Sequence, residues 1–356
     1  MPIARVAAAL CVVTLAAATL PTQPPRFNWA TLPVFMHSGN RSGPLSNTTA
    51  TFMARFPLVT MAGFHGAGLN GGNEAAFTPF AAAVKARNAT ARVLFYQNTL
   101  INFPQSRLGN PNSTLNESLL LHDRRGRLVY LGGCGSHHAA PNHTLYDHAQ
   151  PEMRRRWTAN VVEVASNPAN NGLVDGVFCD RSGSIAAVNE KDLFCYDFPP
   201  GFVKAWDGGH WQAIADTQAA LDKLLPTAIV VGNHAEPEPS MRLTKNSSWN
   251  AKMYEHFTPS KKNNQYIPNG NQLVALKHDA RSELIAEVHV DNCGVPVGGG
   301  NPGTAMYNAS LAAFLIAASK YASLAHAAVP SPAAAAADPS LAAQVRLLRV
   351  HARLGL

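Results

Sequence analysis

Short apolar runs alternate with longer stretches of helical spacing along most of this chain. Leu32-Pro33-Val34-Phe35-Met36-His37 predicts a first strand, stopped by Ser38-Gly39-Asn40. Phe56 to Met61 predicts a second, with Pro57 near its start, where a strand tolerates proline. Arg92 to Asn98 predicts a third. The fourth lies in Gly172-Leu173-Val174-Asp175-Gly176-Val177-Phe178-Cys179-Asp180-Arg181, whose β-branched core hands over to Ser182 and Gly183. Thr227 to His234, Lys252 to Phe257 and Ile285 to Asp291 predict a fifth, sixth and seventh.

Between these runs the period changes from two to three or four. Phe77, Phe80, Ala81 and Val84 give one helix face within Glu74 to Arg87. Pro151 to Ser166 predicts a helix that opens with proline at its first position. Phe202 to Leu225 predicts a long one, Asn271 to Leu284 another, and Thr304 to Ala325 a strongly apolar last one. A long insertion runs from Phe103 to about Pro141, and Leu128 to Leu131 reads as a small hairpin strand within it.

Strands alternating with helices predict a parallel α/β fold, and seven strands fit a (β/α)8 TIM-like barrel better than an open six-stranded sheet. No glycine-rich dinucleotide fingerprint follows the first strand, which disfavours a nucleotide-binding fold. An eighth strand is not visible. After Ala325 the chain runs into Val329-Pro330-Ser331-Pro332, an alanine run and a basic end, which leaves open that the barrel lacks its last strand. The expected organisation is a leader over residues 1–20, a barrel over 26–328 and a low-complexity tail over 329–356.

Composition sharpens this picture at four points. With 46% hydrophobic and 14% charged residues the chain can build a sizeable core. Its net charge of +7 is scattered, with Arg154-Arg155-Arg156 and Lys261-Lys262 the densest clusters, so nucleic-acid binding is not the expectation. Arg5 followed by the apolar run Val6 to Leu20 has the form of a secretory signal peptide, and it is too short to span a membrane. Eight Asn-x-Ser/Thr sequons, at Asn40, Asn47, Asn88, Asn112, Asn116, Asn142, Asn246 and Asn308, agree with a secreted glycoprotein.

Without the leader, Cys134, Cys179, Cys195 and Cys293 remain, an even number for an oxidising compartment. Three pairings into two disulfides are open. Cys179–Cys195, which brackets one loop, is the favoured bridge. No CxxC spacing points to zinc.

A buried parallel strand that stops at a carboxylate is how barrel enzymes present catalytic groups, which singles out Asp180. Its rivals for attention at predicted strand ends are His37, His65, Asn98, Asp147, His234, Glu255, His256, Asp291 and Asn292. Asp180 on the fourth strand and Glu255 on the sixth can hold two carboxyls about 5–10 Å apart, the range used by retaining and inverting glycosidases. Asp180 then acts as nucleophile or base and Glu255 as acid. His37, His65, Asp147, Arg181, His234, His256 and Asp291 are the expected substrate contacts. Tyr254, Trp157, Trp206 and Trp211 are candidate sugar-stacking surfaces. Asp175, early in its strand, reads as a structural ion pair.

Gly172 to Arg181 (GLVDGVFCDR), Ala251 to Phe257 (AKMYEHF) and Met306 to Ser323 resemble glycoside-hydrolase-type barrel proteins of algae and bacteria, distant relatives of the endo-α-1,4-polygalactosaminidase barrels. The resemblance covers roughly residues 32–325. It implies a glycoside-hydrolase-like barrel acting on a polysaccharide or oligosaccharide without a cofactor or metal. Asp180 and Glu255 sit where such families place carboxylates. Two other readings stay open: a carbohydrate-binding or inactive barrel, and a metal-dependent hydrolase using His37, His65, His234 and His256.

Overall fold

A computed structural model describes residues 35–41, 43–67, 72–109, 115–131, 143–186, 193, 195–225, 227–233, 251–254, 260–262, 265–267, 285–290, 314 and 322–326. The expected leader, the tail and the helix over 271–284 lie outside the described residues, as do Cys134 and Cys293.

Eight strands form one parallel sheet whose spatial order is the order of the chain. They are β1 (Phe35–Ser38), β2 (Leu58–Met61), β3 (Arg92–Asn98), β4 (Gly176–Asp180), β5 (Ile229–Gly232), β6 (Ala251–Tyr254), β7 (Ile285–Val290) and β8 (Ala322–His326). Helices α1 (Asn47–Met53), α2 (Gly72–Lys85), α3 (Pro151–Ser166) and α4 (Phe202–Leu224) occupy the described crossovers. β8 pairs with β7 in register from Ala286 opposite Ala322 to Val290 opposite His326, and it comes back alongside β1. This is the (β/α)8 barrel arrangement. The last strand is therefore present. It occupies residues that the sequence pattern assigns to the end of an apolar helix.

Period-two alternation sorts the strand side chains into two cores. Phe35, Leu58, Leu94, Tyr96, Phe178, Ile229, Val231, Ala251 and Met253 pack together on one face, the barrel interior. Met36, Val59, Val93, Phe95, Val177, Cys179 and Val230 face the other way. They meet Phe77, Phe80 and Val84 of α2, Met153, Trp157 and Val161 of α3, and Ile214 and Leu221 of α4. Burying both faces is what makes the strands read as near-continuous apolar runs.

Cys179 belongs to the outer set, sealed under the helices as a free thiol. That excludes the expected Cys179–Cys195 bridge, because the alternation turns its sulfur away from the loop that carries Cys195.

Asp175, just before β4, is a buried ion-pair hub. Its Oδ2 lies 2.7 Å from Lys85 Nζ, its Oδ1 lies 3.3 Å from Arg92 Nη1, and the Val93 amide donates to Oδ2 at 2.8 Å. The structural reading of Asp175 holds. These contacts fasten α2, β3 and β4 together at the end of the barrel opposite the C-terminal strand ends.

A third apolar cluster lies under the long insertion. Leu100, Ile101, Leu121, Val129, Leu145, Ile185 and Trp206 pack together, and the pairs Ile101–Asn102 and Thr144–Leu145 form a short antiparallel ribbon. Leu128 and Tyr130 make the isolated bridges expected of a small hairpin strand.

Candidate active site

At the C-terminal end of β4, Asp180 is held by four donors. Tyr96 donates its hydroxyl to Oδ2 at 2.5 Å, and Asn98 Nδ2 donates to the same oxygen at 2.9 Å. Asn233 Nδ2 and the Arg181 amide donate to Oδ1 at 2.7 and 2.8 Å. Both carboxylate oxygens thus accept two hydrogen bonds each. The hydrogen-bond pattern is that of an acceptor-only, ionised group.

The local sequence makes this cradle in a definite order. Tyr96 and Asn98 on β3 share the inward phase with Leu94, as Asn233 shares that of Val231 on β5. The two neighbours of β4 therefore aim at one point from either side. The Asn98 carboxamide cannot turn over, because its oxygen accepts from the amides of Leu100 at 3.0 Å and Ile101 at 2.6 Å. That leaves its NH2 for Asp180 and the Tyr96 oxygen. Thr99 then ties the main chain down, its hydroxyl donating to the carbonyls of Asp180 and Arg181 at 2.8 Å each.

Arg181 has φ +56°, the one non-glycine residue with positive φ among the described residues. This left-handed conformation costs about 1–3 kcal/mol and persists only where neighbours enforce it. Here it brings the Arg181 amide back onto the carboxylate of the residue before it.

Burial pushes the Tyr96 phenol well above its ordinary range, and the Asp180 charge adds to the effect. Tyr96 therefore stays a hydrogen-bond donor across the physiological range. His37 stands close by on β1, its ring edge-on to Phe178 with centroids 4.8 Å apart and to Tyr96 at 6.0 Å.

The remaining candidates divide by position. Asp147 shapes the turn ahead of α3, accepting from the Ala149 amide and from Gln150 Nε2, and is not part of the cradle. His65 is fully buried, and its Nδ1 accepts from the Asn40 amide at 2.9 Å. Burial lowers its pKa to about 4, so it braces the loops after β1 and β2 as a neutral ring. Glu255, His234, His256 and Asp291 lie outside the described residues, as does Asn292.

Trp157 and Trp206 are core, with their indole N–H groups donating to the carbonyls of Asn98 and Tyr146 at 2.9 Å each. Trp211 packs against the outer core and Tyr254 is buried. Among the described residues no three His, Cys, Asp or Glu converge as a metal site.

Three partners of Asp180 escape a reading that looks only for acids and histidines. Tyr96 sits inside a predicted strand. Asn233 precedes His234, and only the alternation phase set by Val231 would have chosen it. Asn98 was visible as a strand end, but its locked amide depends on the turn that follows.

A (β/α)8 barrel with a cradled aspartate at the end of its fourth strand, ringed by polar groups from the adjacent strands, is the arrangement expected of a glycoside-hydrolase-type barrel. The family profile agrees. Residues 85–346 match hypothetical glycosyl hydrolase family 15, and the chain belongs to that family. No functionally curated protein matches it.

Among solved structures, an α-galactosidase from Lactobacillus brevis superposes with a TM-score of 0.50 at 9% identity, covering 90% of this chain and 40% of that one. The glycoside hydrolase domain of PelA from Pseudomonas aeruginosa gives 0.44 at 14% identity, over 85% of this chain and 97% of that domain. A GH36 α-galactosidase from Geobacillus stearothermophilus gives 0.46 at 10% identity, over 90% and 42%. This chain thus spans about two fifths of those galactosidases.

No described helix is long and apolar enough to cross a membrane.

Proposed function

We propose that this protein hydrolyses glycosidic bonds of a polysaccharide through a carboxylate pair, with Asp180 as nucleophile or base and Glu255 as acid, and with no cofactor. The observation that carries the reading is the cradle of Asp180. Four donors hold an ionised carboxylate in one orientation at a barrel mouth, as attack on an anomeric carbon or activation of a water requires. Glu255 is proposed from the sequence alone, two positions after Met253, which with Ala251 faces inward on β6. His37, whose ring stands beside Tyr96, and Arg181, next to Asp180, are the proposed contacts for substrate hydroxyls.

The test is release of reducing ends from a polysaccharide panel by wild type, Asp180→Asn and Glu255→Gln, with circular dichroism confirming the fold. Activity in wild type and its loss in both variants is expected. Turnover by Asp180→Asn equal to wild type would overturn the assignment.

We further propose that the protein follows the secretory route. Asn40, Asn47 and Asn116 are exposed, as glycan acceptors must be. Secretion from a eukaryotic host with a mass shift on enzymatic deglycosylation is the expected result; an unmodified intracellular product would count against it.

A further inference from the structure

Among the described residues Phe64 is the one aromatic with a large exposed surface, 39%. It lies in the loop that leaves the C-terminal end of β2, the same end of the barrel as Asp180. Its neighbour Gly63 packs directly against the Tyr96 ring, whose hydroxyl holds Asp180. Arg41, in the loop leaving β1, stands over the Phe64 ring at 5.4 Å from its centroid.

The two loops are braced. The Asn40 amide donates to His65 Nδ1 at 2.9 Å, the Gly66 amide donates to the Asn40 carbonyl at 3.0 Å, and the His65 amide donates to the Ala62 carbonyl at 2.9 Å. A solvent-facing phenyl ring is thus presented on a fixed backbone at the rim of the mouth. Left in water there, the ring keeps apolar surface that a covering ligand would bury favourably.

The charges at this rim point one way. Arg41 is exposed, and no carboxylate pairs with it among the described residues. Arg181 likewise has no carboxylate salt bridge there. Several arginines elsewhere in the molecule are paired: Arg107 with Glu163, Arg127 with Asp123, and Arg155 and Arg156 with Glu152. A guanidinium left unpaired beside a stacking ring is suited to a planar anionic group on a sugar.

We infer that Arg41 and Phe64 form a substrate subsite, and that with Arg181 they select an anionic polysaccharide, one carrying carboxylate or sulfate groups. Phe64 stacks on the pyranose face and Arg41 pairs with its acidic substituent, while Arg181 meets the residue nearer Asp180. This rests on the glycosidase reading for the direction of the cleft, but binding alone can be measured without turnover.

The experiment is affinity electrophoresis of the full chain carrying Asp180→Asn, in native gels containing polygalacturonate, dextran sulfate, neutral dextran or chitosan. Retardation by one or both polyanions is expected, with none by dextran or chitosan, and it should fade as salt is raised. Retardation by polygalacturonate alone assigns the anion as carboxylate, and by dextran sulfate alone as sulfate.

Arg41→Gln and Phe64→Ala, added to that background, are each expected to weaken binding roughly tenfold, about 1.4 kcal/mol. Arg55→Gln removes the same charge from the exposed segment that enters β2 at the opposite end of the barrel, and should leave binding unchanged. Equal loss in Arg55→Gln would mark bulk charge and overturn the inference, as would equal retardation by dextran or tighter binding to chitosan. Polyanion binding lost in the rim variants, with no hydrolysis by wild type of any polymer, would uphold the subsite and sink the hydrolase reading. Hydrolysis of a neutral glycan, untouched by Arg41→Gln and Phe64→Ala, would do the reverse.

Discussion

Gly63→Ala should damage the site without touching a polar group in it. A methyl on Gly63 would stand 2.6 Å from Cζ and 2.7 Å from Cδ1 of Tyr96. Carbon atoms pack at about 3.5–4.0 Å, so the ring must retreat by about 1 Å. The Tyr96–Asp180 bond of 2.5 Å would then stretch to about 3.5 Å, where a hydrogen bond is lost. A hydrogen bond to a charged group is worth about 1.5–3 kcal/mol, so kcat/KM should fall roughly 10- to 150-fold.

Tyr96→Phe removes the same bond and should fall by a similar factor. If both act through one hydroxyl, the double variant should be hardly worse than Tyr96→Phe alone. Overpacking should also lower stability by about 1–3 kcal/mol, read as a shift in urea midpoint. Additive losses in the double variant would refute the reasoning. So would Gly63→Ala kinetics equal to wild type beside a crippled Tyr96→Phe.

Other expectations can be checked by simple means. Asp175→Ala removes the carboxylate that Lys85 and Arg92 share in the interior and should cost about 3–5 kcal/mol in urea unfolding, and Lys85→Met should recover part of that in the double variant. Cys179, whose thiol is pushed up by burial and then by the Asp180 charge, should not react with a thiol reagent until the protein unfolds.

Burial lowers His65 and His148 to about 4 and His210 further, so the unfolded chain binds more protons than the folded one below its ordinary histidine value. Stability should therefore fall as pH drops from about 6.5 toward 4, by roughly 1 kcal/mol per pH unit for each histidine. A flat urea midpoint across that interval would contradict their neutral burial.

Much of the barrel is legible in the chain because its strands are buried on both faces. Arg92–Asn98 and Pro151–Ser166 are observed with their predicted bounds, one set by an unbroken β-forming run and the other by proline at the first helical position. Ala322–His326 was hidden for the opposite reason. Its alanines and leucine favour helix and continue an apolar helical stretch, and only pairing with β7 makes it a strand.

Asp180 was readable from its place after Phe178. Its surroundings were not, since they depend on which of two adjacent residues faces inward. One step of phase separates Asn233, which holds the carboxylate, from His234. His65 shows the same limit, since nothing local reveals that its ring accepts a hydrogen bond from the amide of Asn40.

The return of β8 beside β1 has a consequence for how the molecule is made. These strands are nearly the whole described chain apart, and among the described strands none lies beside the outer edge of β1 until residue 326 has been synthesised. At about 5–20 residues per second, the interval from Ser38 to His326 is roughly 15 to 60 s. For that time the nascent sheet offers an unpaired edge, the kind of template on which strands of other chains add. A chaperone acting on the emerging polypeptide would find its task there. Ribosome-bound chains stopped before residue 322 should be more prone to aggregate than those extended past it.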